Sequence, residues 1–238
     1  IIAPAGSLLL SVDYSQIDLR VLAHITHDPG LVSAFERGED IHTVTAAEVF
    51  GVAHHAVTPE LRRRAKIVNY ALLYGKTAFT LARDINVSKE EAQAFIDAYF
   101  AGFPSVRAYI DRTLEEARVT GVVKTMFGRR RLVPELNSRN GQIRAAAERV
   151  TVNMPIQGTA ADILKKAMID VHRELVTRRL VTRMILTVHD ELVYVVPEES
   201  AEDLLGILQN IMRQGVSWWP ELVTWSEGDV ADCYGEAK

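Results

Sequence analysis

Met184-Ile185-Leu186-Thr187-Val188-His189-Asp190-Glu191-Leu192-Val193-Tyr194-Val195-Val196 is the stretch on which the fold turns. Two apolar, β-branched runs flank a polar pair, the pattern of two strands with His189 and Asp190 at a tight turn. Working outward, residues 7–12 form another apolar run, Leu8-Leu9-Leu10 leading to Val12, which reads as a buried strand ended by Asp13. The chain between these runs reads as helix. Residues 14–26 place Ile17, Val21, Leu22 and Ile25 on one side, and 31–35 and 43–50 are shorter helices, the last stopped by Gly51. Thr58-Pro59-Glu60 is a helix start that runs to about Tyr74, with Gly75 as its stop. Ser88 and Glu91 make a capping box, and Pro104 opens a helix that Gly121 closes. Residues 122–126 and 131–133 suggest a small hairpin around Phe127 and Gly128. A long helix from about Gln142 is expected to break at Pro155 and resume over 159–180. A helix over 201–212 and a strand at 222–225 complete the reading. With strands at the chain ends and helices between them, the expected class is α+β, a sheet-based lobe with a helical lobe inserted.

The 238 residues suffice for one large domain or two lobes, and their composition is that of an ordinary globular protein. No run approaches the ~18 apolar residues of a membrane span, and no signal peptide is evident at Ile1. No membrane partner is expected. A start without Met suggests a fragment. The lone Cys233 can form no internal disulfide, which suits a reducing compartment such as the cytoplasm. The net charge of −4 argues mildly against nucleic acid, but its distribution argues for it. Residues 61–76 carry Arg62, Arg63, Arg64, Lys66 and Lys76 and no acid, and 118–149 are also strongly basic. The acids gather near the chain ends, a layout suited to holding polyphosphate in one place and metal in another.

Asp13 and Asp190 stand at strand ends, where a rigid backbone can hold a carboxylate in place. Two such acids can share a pair of Mg²⁺ ions about 3.5–4 Å apart. Taken singly, each has a simpler structural reading, Asp13 as a helix cap and Asp190 as a turn former. The helix from Thr58 tips the balance. Arg62, Lys66, Tyr70 and Tyr74 recur every four residues, a stripe of ~18 Å that is cationic at one end and aromatic at the other. That order suits a nucleoside triphosphate read along its length, Arg62 and Lys66 on phosphates and the tyrosines on sugar and base. Arg149, Asn153 and Gln157 also lie four apart and can donate to minor-groove acceptors; capping around Pro155 explains their spacing equally well. A hydrolase triad of Ser15, His189 and Asp190 is disfavoured because adjacent His and Asp cannot orient each other. His54-His55 lacks metal-ligand spacing, and there is no Walker loop.

Asp13-Tyr14-Ser15-Gln16-Ile17-Asp18-Leu19-Arg20, the run from Arg62 to Gly75, and Val188-His189-Asp190-Glu191 together resemble the three polymerase motifs of family A DNA polymerases, the bacterial DNA polymerase I type. Asp40-Ile41-His42, residues 127–131 and residues 153–162 match as well, so the resemblance spans nearly the whole chain. It implies a right-hand architecture: palm over 1–40 and 149–238, fingers over 41–148, and no thumb within the chain. It implies that Asp13 and Asp190 bind two Mg²⁺ (Mn²⁺ as substitute) with help from the Tyr14 carbonyl. His42, Arg62 and Lys66 would bind the triphosphate, Lys66 also protonating pyrophosphate. Tyr70 would meet the incoming sugar, Tyr74 the templating base, and Gln16 and Asp18 would line the sugar site. Arg149, Asn153, Gln157 and His189 would touch the primer-template. Partners implied are primer-template DNA and deoxynucleoside triphosphates, acting on a monomer in a bacterial nucleoid or phage-infected cell.

The family usually has Glu at the position of Asp18, so weaker exclusion of ribonucleotides is expected. Tyr70 stands where many members have Phe, which implies ready use of dideoxynucleotides. Ala71 and Ile67 replace the usual Gly and Thr without explanation. Without a thumb, the grip on duplex DNA would be weak and salt-dependent; the alternative reading is a module that binds nucleic acid or nucleotide without turnover. A two-metal nuclease or phosphatase also needs paired aspartates, but not the base-stacking end of the stripe. A single-subunit RNA polymerase is a related reading that ribonucleotide extension would separate.

Overall fold

Strand β1 (Ser7–Tyr14) runs past its apolar core, so Asp13 lies inside a sheet rather than beyond its end as expected. It pairs antiparallel with β5 (Glu191–Pro197) on one side and β6 (Ser226–Ala231) on the other; β4 (Arg183–Val188) pairs with β5, giving the order β4-β5-β1-β6. The computed structural model describes residues 1–214 and 226–236. The strand expected at 222–225 lies outside the described residues, whereas β6 was not anticipated: its sequence, Ser-Glu-Gly-Asp-Val-Ala, has little apolar content. Gly228 makes the pairing possible, because a Cβ there would lie 2.5 Å from the Ser11 carbonyl oxygen.

The middle of the sheet is fully covered. Leu9, Leu10, Val12, Leu192, Val193, Tyr194 and Val196 have no exposed surface. Unbroken apolar runs of this kind mark strands buried on both faces. Helix α9 (Ala201–Gln214) buries Leu204, Leu208 and Met212, at four-residue intervals, within this unit. The Tyr14 hydroxyl donates to the Met212 carbonyl at 2.8 Å, and Ser226 donates to the Gln209 carbonyl at 3.1 Å.

The chain divides into two compact units, Ile1–Leu19 with Ala160–Lys238, and Arg20–Thr159. The first holds the four-stranded sheet and α9. The second holds α2 (Pro29–Glu36), α3 (Ile41–Phe50), α4 (Pro59–Leu73), α5 (Ala78–Ile85), α6 (Lys89–Gly102), α7 (Pro104–Thr120) and a hairpin of β2 (Val122–Lys124) and β3 (Arg130–Leu132). Helices α1 (Ile17–Thr26) and α8 (Gly141–Thr177) run across the division. Several expected signals form as read. Thr58 accepts from the Leu61 amide, Ser88 and Glu91 cap each other reciprocally, and Gly51 and Gly121 end their helices at φ 63° and 70°.

Other expectations are corrected. Helix α1 begins at Ile17, not Tyr14, because β1 continues to Tyr14 and Gln16 turns the chain at φ 55°. Helix α8 does not break at Pro155 but is continuous. A mid-helix proline costs about 3 kcal/mol, and the burial of Val152, Ile156, Ala160 and Ile163 around it offsets that cost. Helix α5 was not anticipated, although Ala78, Leu81, Ala82 and Ile85 have helical spacing and Thr77 caps it with Thr80. Among the described residues no helix is long and apolar enough to cross a membrane.

Candidate active site

In the sheet unit, Asp13 stands directly opposite Glu191 on β5 and Glu227 on β6. Opposed residues of antiparallel strands share a face, so three carboxylates meet across one row. Asp190 adds a fourth from the β4–β5 turn, its carbonyl accepting from the Tyr14 amide at 3.3 Å. Burial, then repulsion from Asp190, Glu227 and Glu191, pushes the Asp13 carboxyl up from 3.8 to about 6. Burial also raises Asp190, with Glu191 adding and the neighbouring His189 opposing. Glu191 is not an open ligand: it accepts from Ser11 at 2.5 Å and from Tyr234 at 2.7 Å, one donor on each oxygen. The sequence reading missed this brace, although a lone serine inside the apolar β1 run was its visible sign.

Among the described residues no three His, Cys, Asp or Glu side chains converge into a protein-only metal cage. Two crowded, half-buried carboxylates that form no ion pair among the described residues are instead the donor set that suits Mg²⁺, which keeps waters and substrate oxygens in its shell. The Tyr14 ring, 1% exposed and bonded to α9, fixes the strand end that carries Asp13. Gln16 occupies the left-handed turn, Asp18 the first turn of α1, and His189 the β4–β5 turn at φ 56°.

In the helical unit, α4 carries its stripe as expected, but three of its four members are engaged within the protein: Arg62, Tyr70 and Tyr74. Arg62 is forked onto Asp40, Nε to Oδ2 at 2.7 Å and a terminal nitrogen to Oδ1 at 2.9 Å. Asp40 also caps α3 through the Thr43 amide at 3.0 Å. Burial alone would raise its pKa; Arg62 and Thr43 overcome that and hold it at about 2. Asp40→Ala is therefore expected to lower stability by about 1–2 kcal/mol at pH 7, the scale of a lost cap plus an exposed ion pair. Because the folded pKa is depressed, this stability is present above the unfolded value near 4 and fades as pH falls toward 2. Thermal unfolding at pH 7 that matches the parent would contradict this assignment.

His42 is 2% exposed. Asn69 Nδ2 lies 3.1 Å from its Nδ1, and an amide nitrogen can only donate, so Nδ1 accepts and the ring proton sits on Nε2. Burial first, then the charges of Arg62 and Lys66, lower its pKa to about 4 against the pull of Asp40. His42 is thus a neutral donor at pH 7, not a cation. Tyr70 lies 5.9 Å from His42 and stacks on Tyr74 at 6.0 Å. Lys66 is exposed and forms no ion pair among the described residues. At the helix end Gly75 takes φ 66°, and a Cβ there would come within 2.9 Å of Arg149 Cγ. Arg149 thus packs beside the aromatic end of the stripe. The unbroken α8 keeps Arg149, Asn153 and Gln157 on one helical face, and Asn153 Oδ1 is buried without a hydrogen-bond partner among the described residues. An unsatisfied buried acceptor costs about 1–3 kcal/mol, which a ligand can recover.

A family model described as DNA polymerase family A matches residues 1–224. The chain belongs to this family. The thermostable DNA polymerase I of Thermus aquaticus is 50% identical over 212 residues, covering 89% of this chain and 25% of that protein. DNA polymerase I of Geobacillus stearothermophilus is 48% identical over 210 residues, covering 88% and 24%. The chain thus spans about a quarter of the length of these relatives. A solved structure, the POL domain of Pol1 from M. smegmatis in complex with DNA primer-template and dNTP, superposes with a TM-score of 0.93 at 40% identity, covering 99% of this chain and 41% of that one.

Proposed function

We propose that this family A chain carries the catalytic centre of a template-directed DNA polymerase, which transfers a nucleotidyl group from a deoxynucleoside triphosphate to a primer 3′-hydroxyl. The observation that carries the reading is the crowding of Asp13 and Asp190 at one end of the sheet, with the Asp13 carboxyl pushed up to about 6. Residues 1–40 and 149–238 are assigned to the palm and 41–148 to the fingers of a right-hand polymerase.

Asp13, Asp190 and the Tyr14 carbonyl would hold two Mg²⁺ ions. Bound there, the ions would make the primer hydroxyl a better nucleophile and neutralise the leaving pyrophosphate. On α4, Lys66 meets the triphosphate and delivers a proton to the departing pyrophosphate. Arg62 must leave Asp40 to reach a phosphate, so Asp40 keeps that guanidinium extended and ordered until nucleotide arrives. His42 contributes one neutral Nε2–H. Tyr70 and Tyr74 unstack to meet sugar and templating base. Arg149, Asn153, Gln157 and His189 touch the primer-template, and Gln16 and Asp18 line the sugar site.

Primer extension with Mg²⁺ and all four deoxynucleotides tests the reading. Extension is expected; binding of primer-template and nucleotide without extension would assign a binding module instead. Asp18 yields a second outcome. Its carboxylate is one methylene shorter than Glu, and a methylene of fit is worth roughly tenfold or more in discrimination. Asp18→Glu should therefore shift incorporation toward deoxyribonucleotides by about tenfold, and unchanged competition between the two sugars would contradict the role of Asp18.

A further inference from the structure

Within the helical unit a cavity of about 680 Å³ is walled by the end of α1, by α7, by the β2–β3 hairpin and by Pro155 of α8. Lys124 and Arg130 line it and stand directly opposite each other in the hairpin register. Like charges so placed destabilise a strand pair. Nothing in the hairpin relieves them, for residues 122–133 contain four cations and no acid. Both side chains are exposed and without a hydrogen-bonded or ion-paired acid among the described residues. A third cation, Arg112 of α7, lines the same cavity, against one acid, Glu116.

The hairpin does not need this charge to fold. Val123 and Val133 anchor it in a buried cluster with Ala117, Leu136 and Ala147. That cluster holds three-residue strands in place while the cations stand clear of it. Ile25, Met126 and Pro155 add apolar surface to the same lining. The volume is in the range of ligand sites and far beyond what one phosphate ion fills. Cations and apolar surface in one cavity match a nucleotide chain with its bases unstacked. A duplex keeps its bases inside and offers none to such a surface.

We propose that this cavity is a second nucleic-acid site that takes the backbone of a single strand, Lys124, Arg130 and Arg112 each meeting a phosphate and Ile25, Met126 and Pro155 supporting a base. The proposal rests on the polymerase reading only in naming that strand as unpaired template.

Fluorescence anisotropy of the 238-residue chain with a labelled single strand of roughly 12 nucleotides tests it. In Lys124→Ser/Arg130→Ser, affinity should fall about tenfold, and the slope of log affinity against log salt should shrink by about 1.4, near 0.7 for each lost phosphate contact. Lys124→Arg/Arg130→Lys should retain both. Duplex affinity should be unchanged, and thermal stability unchanged or higher once the repulsion is gone. If the double serine variant fails to fold, Arg112→Gln, outside the hairpin, should still lower the slope by about 0.7. An unchanged slope, an equal loss for duplex, or displacement of the strand by equimolar inorganic pyrophosphate would each overturn the proposal. Primer extension by the parent chain is scored separately: its absence counts against the polymerase reading and leaves the binding result standing.

Discussion

Asp13→Asn and Asp190→Asn should each cut nucleotidyl transfer by about 10³-fold or more, and Asp13→Asn should do so while making the folded chain more stable near pH 7. The first effect follows from removing a ligand on which several kcal/mol of transition-state charge stabilisation depends, at 1.4 kcal/mol per factor of ten. The second follows from the crowding in the sheet. The folded Asp13 carboxyl titrates at about 6, above its ordinary value of 3.8. A group raised in this way favours the native state most below the unfolded pKa, and that stability is lost as pH rises through the folded value. At pH 7 the charged Asp13 thus costs the fold on the order of 1–2 kcal/mol, after 1.36 kcal/mol per pKa unit is discounted for the solvent screening of a half-buried group. Asparagine removes the cost. Single-turnover extension alongside calorimetry at pH 4 and pH 7 reads both effects. A variant that keeps its activity, or that melts lower at pH 7, would show that Asp13 is a structural residue.

Lys66→Ala is the second large effect. Lys66 is exposed with no ion pair among the described residues, so its loss should move stability by no more than about 0.5 kcal/mol. Its catalytic loss should be far larger. Removing both a phosphate contact and a proton donor should lower kcat/KM for the nucleotide by about 10²–10³-fold, the range of a charge-assisted contact combined with general acid catalysis. Lys66→Arg separates the two roles: KM should recover while kcat stays low. Arg62→Ala should cost less than Lys66→Ala, because Arg62 must first give up its fork to Asp40 at 2.7 and 2.9 Å. Equal kcat in Lys66→Arg and the parent would remove Lys66 as the proton donor.

What the sequence made legible was what local chemistry dictates. The Thr58 cap, the Ser88–Glu91 box, the Gly51 and Gly121 stops and the β4–β5 hairpin each depend on residues close together in the chain, and each formed as read. Failures arose where distant packing overrode local preference. Pro155 stays inside α8 because buried neighbours hold the helix together across it. Strand β6 has almost no apolar signal, and it is recruited by pairing with β1, where Gly228 admits the close approach. In the site, residue types and spacing pointed to Asp13, Asp190 and the α4 stripe. They could not show that Glu227 and Glu191 flank Asp13, that Ser11 and Tyr234 occupy Glu191, or that Asp40 holds Arg62. Those are cross-strand and cross-helix facts, and only the register supplies them.

The central claim is that Asp13 and Asp190 form a two-metal centre, and counting bound ions tests it most directly. Mn²⁺ titration followed by electron paramagnetic resonance, with primer-template and a non-hydrolysable deoxynucleotide present, should show about two ions per chain. Asp13→Asn should lose at least one of them with primer-template and nucleotide still bound. The same ion count in Asp13→Asn as in the parent chain would contradict the account.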